Sequence, residues 1–362
     1  AYQWTLAGVM NHRSAALIFS ILILVGTVAL FIHTPKGFLP DEDIGMIMAV
    51  TETEEGASFD ALVKHQKRLA AVAAEDPDIE GFMSTAGGGS FAMSNQGRMF
   101  IKLKDRSERS SGAQEVIERL RPELAQVPGI RAFLQIPPSI RIGGMSTKAM
   151  YQYTLQSTDT DLLFGVSPKL EAAMQNIPAL TDVSSDLSLK NPRVTVRIDR
   201  DKASALGISA HQVEATLSLA YSSSRISSIY TPTNQYYVIM ELLPEFQTDV
   251  SALNLLYIQS SNGWLVPLST IAVLEHGFGP LSINHFGQIP SVTISFNLKP
   301  GAALGYAVAE IEKMAAQMLP SGITTTFTGT AQAFQSSQSS MSVLLLLAIL
   351  VIYMILGILY ES

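Results

Sequence analysis

An α+β body held between two membrane-spanning helices is the fold this sequence predicts, and three observations carry that reading. Residues 14–32 and 341–360 are uncharged and almost wholly apolar, each close to the roughly 20 residues a helix needs to cross a bilayer. Between them, an amphipathic helix flanked by strands recurs four times. Hydrophobic residues make up 47 % of the 362 and charged ones 15 %, so the chain can bury ample surface and is not intrinsically disordered.

The first apolar run, SAALIFSILILVGTVALFI, is followed by Phe31-Ile32-His33-Thr34-Pro35-Lys36. A cleaved leader would show a basic start and a small-residue cleavage site, and this stretch offers neither. The second run, MSVLLLLAILVIYMILGILY, lies where no leader can be. Two spans put both ends on one side of a membrane and residues from 40 to about 335 on the other. Arg13 before the first span and Lys36 after it leave the orientation open by charge asymmetry. The brief stubs at either end give the chain the look of a piece of something larger.

Within the body, helix 58–75 carries Phe59, Leu62, Val63, Leu69, Ala70 and Ala73 on one side and stops at Asp76-Pro77. Helix 111–126 opens on Ser111 and Gln114 at capping-box spacing. Its stripe is Val116, Leu120, Leu124 and Val127, and Pro128-Gly129 ends it. Helix 159–176 uses Leu163, Val166, Leu170, Ala173 and Ile177, and helix 303–318 uses Leu304, Ala307, Val308, Ile311, Met314 and Met318. Steps of three and four put each set on one helix face, and proline just past each stripe cannot continue it. Strands 44–53, 98–104, 150–156 and 292–297 precede these helices, and 80–85, 130–136, 180–186 and 323–328 follow them. The result is an internal duplication of a βαββαβ unit. The second copy is interrupted after Arg193–Asp199 and resumes near 280; its insertion carries one capped helix with Ser209, Gln212, Val213 and Leu217.

Chemistry is conspicuous by what the residues do not supply. Lys and Arg number 24 against 31 Asp and Glu, a net charge of −7 without a long basic run, which makes nucleic acid a poor partner. With no cysteine there is no disulfide framework and no thiolate zinc site. The six histidines show no metal-ligand spacing, and no nucleophile-elbow or phosphate-loop motif occurs. Gly87-Gly88-Gly89-Ser90 lacks a lysine to reach a phosphate, and Asp41-Glu42-Asp43 and Asp199-Arg200-Asp201 read as solvated turns rather than metal ligands. The expectation is therefore no enzyme, no cofactor and no metal. Residues 82–100 join two strands through a glycine-rich loop with Phe82, Met83, Phe91, Met93, Met99 and Phe100. Rings and thioethers on a loop suit adaptable apolar ligands, while ordinary inward strand positions explain Phe82 and Phe100 equally well.

The run Pro35-Lys36-Gly37-Phe38-Leu39-Pro40-Asp41-Glu42-Asp43-Ile44-Gly45, directly after the first span, resembles the start of the second large periplasmic loop of resistance-nodulation-division (RND) multidrug exporters. Val196-Arg197-Ile198-Asp199-Arg200-Asp201-Lys202-Ala203 with Leu206-Gly207-Ile208-Ser209 resembles the start of that family's docking insertion. Leu281-Ser282-Ile283-Asn284-His285 and the ending Gly357-Ile358-Leu359-Tyr360-Glu361-Ser362 resemble the MdtB/MdtC branch, whose members form mixed trimers. The resemblance runs over essentially the whole chain and corresponds to the seventh span, second loop and eighth span of a twelve-span exporter.

That resemblance implies a multi-pass protein of a bacterial inner membrane, its ends cytoplasmic and its bulk periplasmic. It implies a stub at 1–13, spans at 14–33 and 341–360, and two ferredoxin-like porter subdomains. The first porter subdomain covers 40–145; the second is split into 146–200 and 278–332 by a docking, funnel-forming subdomain at 201–277. The implied activity is proton/drug antiport, exporting amphipathic drugs and bile-salt-like compounds. The implied partners are the remaining half of the transporter, a uniform or mixed trimer, a periplasmic adaptor, an outer-membrane channel and the lipid bilayer. An alternative role in a mixed trimer is mainly structural, with a partner subunit carrying the drug. By the same resemblance Met48, Phe82, Ser84 and Phe100 fall on a deep drug pocket, Gly87, Gly89 and Phe91 on the loop that separates it from an entrance pocket, and Phe133, Leu134 and Arg141 near that entrance. Relatives place phenylalanines where this chain has Gly87 and Gly89, so stacking on flat aromatic drugs should be weaker. Neither apolar run contains an ionisable acid or base, the residues that mark a proton relay in a membrane, so the relay is expected outside this chain.

Overall fold

The computed structural model describes residues 12–34, 36–37, 42–87, 95–140, 142–144 and 147–360. Residues 1–11 of the expected stub and the tail Glu361-Ser362 lie outside them. The chain divides into two compact units, Ala1–Ser188 with Ser282–Ser362, and Leu189–Leu281.

In the larger unit, helix α1 (Arg13–His33) is the first apolar run. The first βαββαβ half follows as β1 (Met46–Thr53), α2 (Phe59–Ala74), β2 (Ile79–Ala86), β3 (Gln96–Leu103), α3 (Ala113–Ala125) and β4 (Ile130–Gln135). Its sheet is antiparallel throughout in the order β2-β3-β1-β4. The second half repeats the pattern with β5 (Tyr151–Gln156), α4 (Thr160–Gln175), β6 (Leu180–Ser185), β7 (Ile289–Leu298), α5 (Leu304–Met318) and β8 (Thr324–Thr328). There β7 pairs with β6 and β5, and β8 pairs with β5, which reproduces the order of the first sheet. The α+β fold and the duplication are as the periodicity predicts.

Each half buries one sheet face under its two helices. In the first, Ile47, Ala49, Met99, Ile101 and Leu134 meet Leu62, Leu69, Val116, Leu120 and Leu124. In the second, Tyr153, Leu155, Ile294 and Phe296 meet Leu163, Leu170, Met174, Leu304 and Ile311. Apolar area removed from water at about 25 cal/mol per Å² is what holds these layers. The first turn of α3 departs from the expected box: the helix begins after Gly112, whose backbone N–H donates to Glu115 Oε2 at 2.8 Å. Ser111 accepts from Arg119 instead.

The smaller unit has a slim core of Ala203, Ile208, Val213, Ile258, Leu268 and Ile271. Its capped helix is Ala210–Tyr221, with Ser209 and Gln212 forming the reciprocal box. Strand Asn191–Ile198 pairs with Ala272–Gly279 inside this unit, so the insertion begins at 189 and ends at 281 rather than at 201 and 277. A hairpin, Ser224–Tyr230 against Gln235–Met240, exposes Ile226, Ile229, Tyr230, Tyr236, Tyr237 and Ile239.

Helix α6 (Thr330–Tyr360) begins eleven residues before the second apolar run: its first turns seat Ala331 and Phe334 in the second core. With about 1.5 Å per residue, α1 and α6 are about 31 and 46 Å long. Leu17, Phe19, Leu22, Leu346, Ile358 and their neighbours are exposed, a surface whose fitting solvent is hydrocarbon, since a helix satisfies its own backbone there.

Candidate functional site

Strand alternation decides which predicted residues share a face. Met48 stands opposite Phe100 on β3 and Gln135 on β4, and Val50 opposite Phe133. These side chains, with Met83 opposite Phe100, occupy the sheet face that carries no helix. Phe82 and Ser84 pair with Ile101 and Met99, so they lie on the helix side. The cause is a bulge in β2. Continuing the Ile79–Leu103 pairing would set Phe82 opposite Phe100, but Glu80 is an extra residue and every later side chain changes face. Ser84 Oγ accepts from Gln66 Nε2 at 2.9 Å, and Leu134, opposite Ala49, is buried among core residues. The single pocket expected for Phe82, Ser84 and Phe100 is therefore divided by the sheet. Gly87, with φ +60°, ends β2 where a Cβ would come within 3.0 Å of the Phe59 ring. Gly89, Phe91 and Arg141 lie outside the described residues.

Between the two halves runs a cleft of about 500 Å³. Asp43, Gln114, Ile117, Arg121 and Leu134 line one wall, and Met150, Tyr151, Asn297 and Lys299 the other. A smaller hollow of about 100 Å³ beside it is bordered by Met48, Gln135, Ile142, Gly144, Met150 and Gln152. Phe82 and Phe100 line neither.

Two of the charges lining the cleft, Asp43 and Arg121, are paired. Asp43 accepts from the buried Arg109 at 2.6 Å and from the Ala113 backbone N–H at 2.9 Å, so it caps α3 and neutralises Arg109 at once. The Arg109 hydrogen bond holds its carboxyl down at about 2. This replaces the solvated turn expected at Asp43. Asp199 caps the short helix Arg200–Ala205 in the same way, through the Lys202 N–H. Among the described residues no group of three His, Asp or Glu could hold a metal.

Among the described residues two ion pairs cross from one half to the other. Arg121 on α3 reaches Asp182 on β6, and Thr181 Oγ1 at 3.2 Å. Lys148 reaches Glu52 at 2.7 Å. Glu52 also takes Arg131 at 3.2 Å, and Arg131 and Lys148 both lie over the Phe133 ring, 5.6 and 5.7 Å from its centroid. Phe133, though on the open face, is 6 % exposed. Burial raises the carboxyls of Glu171 and Asp186, against which the Lys148 charge acts. Sequence reasoning missed Glu52 and Lys148. Strand parity could have found Glu52, two steps from Val50 and four from Met48, whereas a lone lysine before a strand carries no signal.

A duplicated βαββαβ body with an intervening cleft, between two helices built for lipid, defines a class: the porter region of a membrane transporter. The AcrB/AcrD/AcrF family matches residues 1–362, and the chain belongs to that family, the RND transporters it resembles by motif. Among curated proteins it is 42 % identical to multidrug resistance protein MdtC of Pectobacterium carotovorum over 366 residues. It is 38 % identical to MdtC of Yersinia enterocolitica and 41 % to that of Pantoea ananatis. All of this chain and 35 % of each of those proteins is covered, so it spans about a third of their length. The crystal structure of a heavy metal efflux pump superposes with a TM-score of 0.82 at 21 % identity, covering 93 % of this chain and 36 % of that one. That likeness concerns the fold.

Proposed function

We propose that this chain supplies half of the periplasmic drug path, and half of the docking funnel, of a proton-driven exporter of amphipathic compounds, bile-salt-like ones included. The observation that carries the reading is the cleft between two like halves, flanked by an apolar helix-free sheet face bearing Met48, Phe100 and Phe133. Kinship with multidrug resistance proteins supports the substrate class. In this reading the ends are cytoplasmic, the two halves are porter subdomains, and the unit Leu189–Leu281 is the docking subdomain that meets a periplasmic adaptor and an outer-membrane channel within a trimer. Proton-relay residues belong to spans beyond α1 and α6, which contain no Asp, Glu, Lys, Arg or His between Ser14 and Phe31 or along Thr330–Tyr360.

Met48, Phe100 and Met83 provide an adaptable apolar surface rather than a rigid aromatic slot. Drug susceptibility of cells that depend on the full-length protein tests this. Met48→Ala with Phe100→Ala is expected to raise susceptibility to amphipathic drugs at unchanged protein level, and unchanged susceptibility would overturn the assignment. One observation favours the second reading, a mainly structural subunit in a mixed trimer: Ser84 and Leu134 are committed to internal contacts and Phe133 is covered. Disabling the proton relay in this subunit alone separates the two, because export persists only if a partner subunit carries the drug.

A further inference from the structure

The residues that join the two halves do more than connect strands. The link from β4 to β5 includes Gly143 and Gly144, at φ +59° and +76°, a backbone region glycine adopts without strain. Lys148 follows on that link and is 9 % exposed. Its ammonium takes Glu52 of the first half at 2.7 Å and donates to the Ser185 carbonyl of the second at 2.9 Å. Glu52 in turn holds Arg131 and accepts from Gln96 Nε2 at 3.2 Å. Phe133 and Met48, predicted site residues on the open face, are both shielded from solvent, and it is the Phe133 ring over which Lys148 and Arg131 sit.

We infer that Lys148 is a latch: its bonds to Glu52 and Ser185 hold the two halves together over the Phe133 ring, and its release opens the cleft and bares that ring to an apolar ligand. A buried ion pair suits such a role because it adds little net stability compared with an apolar pair of the same shape. It is nonetheless directional, so the closed arrangement is specific, and rehydrating both charges compensates opening. Arg121–Asp182, at the cleft wall, is the second point that must part. Lys148 is a positioning residue here; the ring is the contact surface. The inference goes beyond the export reading and does not require it, since the readout below involves no transport.

The test measures the cleft directly in the full-length protein reconstituted in nanodiscs, with spin labels at Gln114→Cys and Lys299→Cys on opposite walls. This chain contributes no other cysteine. Lys148→Met, Glu52→Gln and the double variant are each expected to move the label–label distances to longer, broader distributions, while Lys148→Arg keeps the parent distribution. Thermal unfolding is the second readout. Glu52→Gln leaves the buried Lys148 ammonium without its carboxylate and Lys148→Met leaves Glu52 with only Arg131 and Gln96, so both should unfold earlier, whereas the double variant should regain most of the lost midpoint. The double variant keeps the test alive if a single one does not fold. A parent-like distance distribution in the double variant would overturn the latch and leave the pair as packing only; so would a distribution in Lys148→Arg as broad as in Lys148→Met.

Discussion

The two halves share one topology and one way of burying helices, yet their helix-free faces are chemically unlike. On the first sheet that face carries Met48, Val50, Phe100 and Phe133, with Glu52 and Arg131 at one end. On the second it carries Gln152, Thr154, Ser184, Thr293, Ser295 and Thr328, all buried. Those hydroxyls bond one another: Thr154 with Thr293 at 3.2 Å, Ser184 with Ser295 at 3.3 Å, and Thr328 with Gln152 Oε1 at 3.1 Å. Ser291 Oγ, buried on the same face, has no partner among the described residues, but a polar layer bonded largely within itself specifies one arrangement and offers little to an apolar guest, whereas thioethers and rings accept many shapes. In the proposed reading the duplication yields one half suited to meet ligands and one suited to hold still.

The largest expected contrast lies at the second helix of each half. In the first, α3 depends on Asp43, which also neutralises Arg109, whose side chain is 2 % exposed. In the second, α5 starts after Ala303 with no side-chain cap. Asp43→Ala is expected to cost about 3–5 kcal/mol, the usual penalty for stranding a buried charge, read as a lowered denaturation midpoint. Ala303→Ser, offering α5 a cap, should gain about 0.5–1 kcal/mol at most. A cost at Asp43 near that of a surface residue would show that the two helices are anchored alike.

Thr154→Val should cost about 1–2 kcal/mol, since it removes a hydroxyl with two neighbours and leaves Thr293 and Thr328 short of a partner. It should leave drug susceptibility unchanged in the same cells where the Met48 and Phe100 replacements alter it. A drug phenotype from Thr154→Val would erase the division of labour.

The smallest effect is a difference in acid response. Asp43 is held from its ordinary 3.8 down to about 2, chiefly by the Arg109 hydrogen bond, and Asp78 is lowered chiefly by Arg119. Both belong to the first half, and such groups lend stability above their ordinary value that is lost as pH falls toward the folded value. Glu171 and Asp186 of the second half are raised by burial, so acid relieves a penalty there. Pulse hydrogen exchange after equilibration at each pH should show α3 losing protection between about pH 4 and pH 2, before α4 does. Simultaneous loss would mean that the halves unfold as one unit.

Much of this architecture is legible in the residues because burial writes periodicity into them. Stripes such as Leu62, Leu69 and Ala73 can only be one helix face, and their fourfold recurrence announces the duplication. The box Ser209 with Gln212 is local and is found where expected. What resists reading is long-range register. The bulge at Glu80 is one residue in a strand with ordinary composition, yet it sends Phe82 and Ser84 to the helix side, away from Phe100. Likewise Asp43 gains its meaning from Arg109, sixty-six residues on, and Lys148 from Glu52 on β1 of the other half. Strand Asn191–Ile198 reads like the sheet strands before it, and only its partner, Ala272–Gly279, assigns it to the insertion.

Photo-crosslinking tests the division between the halves most directly. A benzophenone side chain would be placed at Phe100 on the first open face or at Ser295 on the second, in the full-length protein exposed to an amphipathic drug and analysed for adducts. Drug attached at position 100 and absent at 295 is the predicted result. Equal capture at both, or capture at 295 alone, would contradict it.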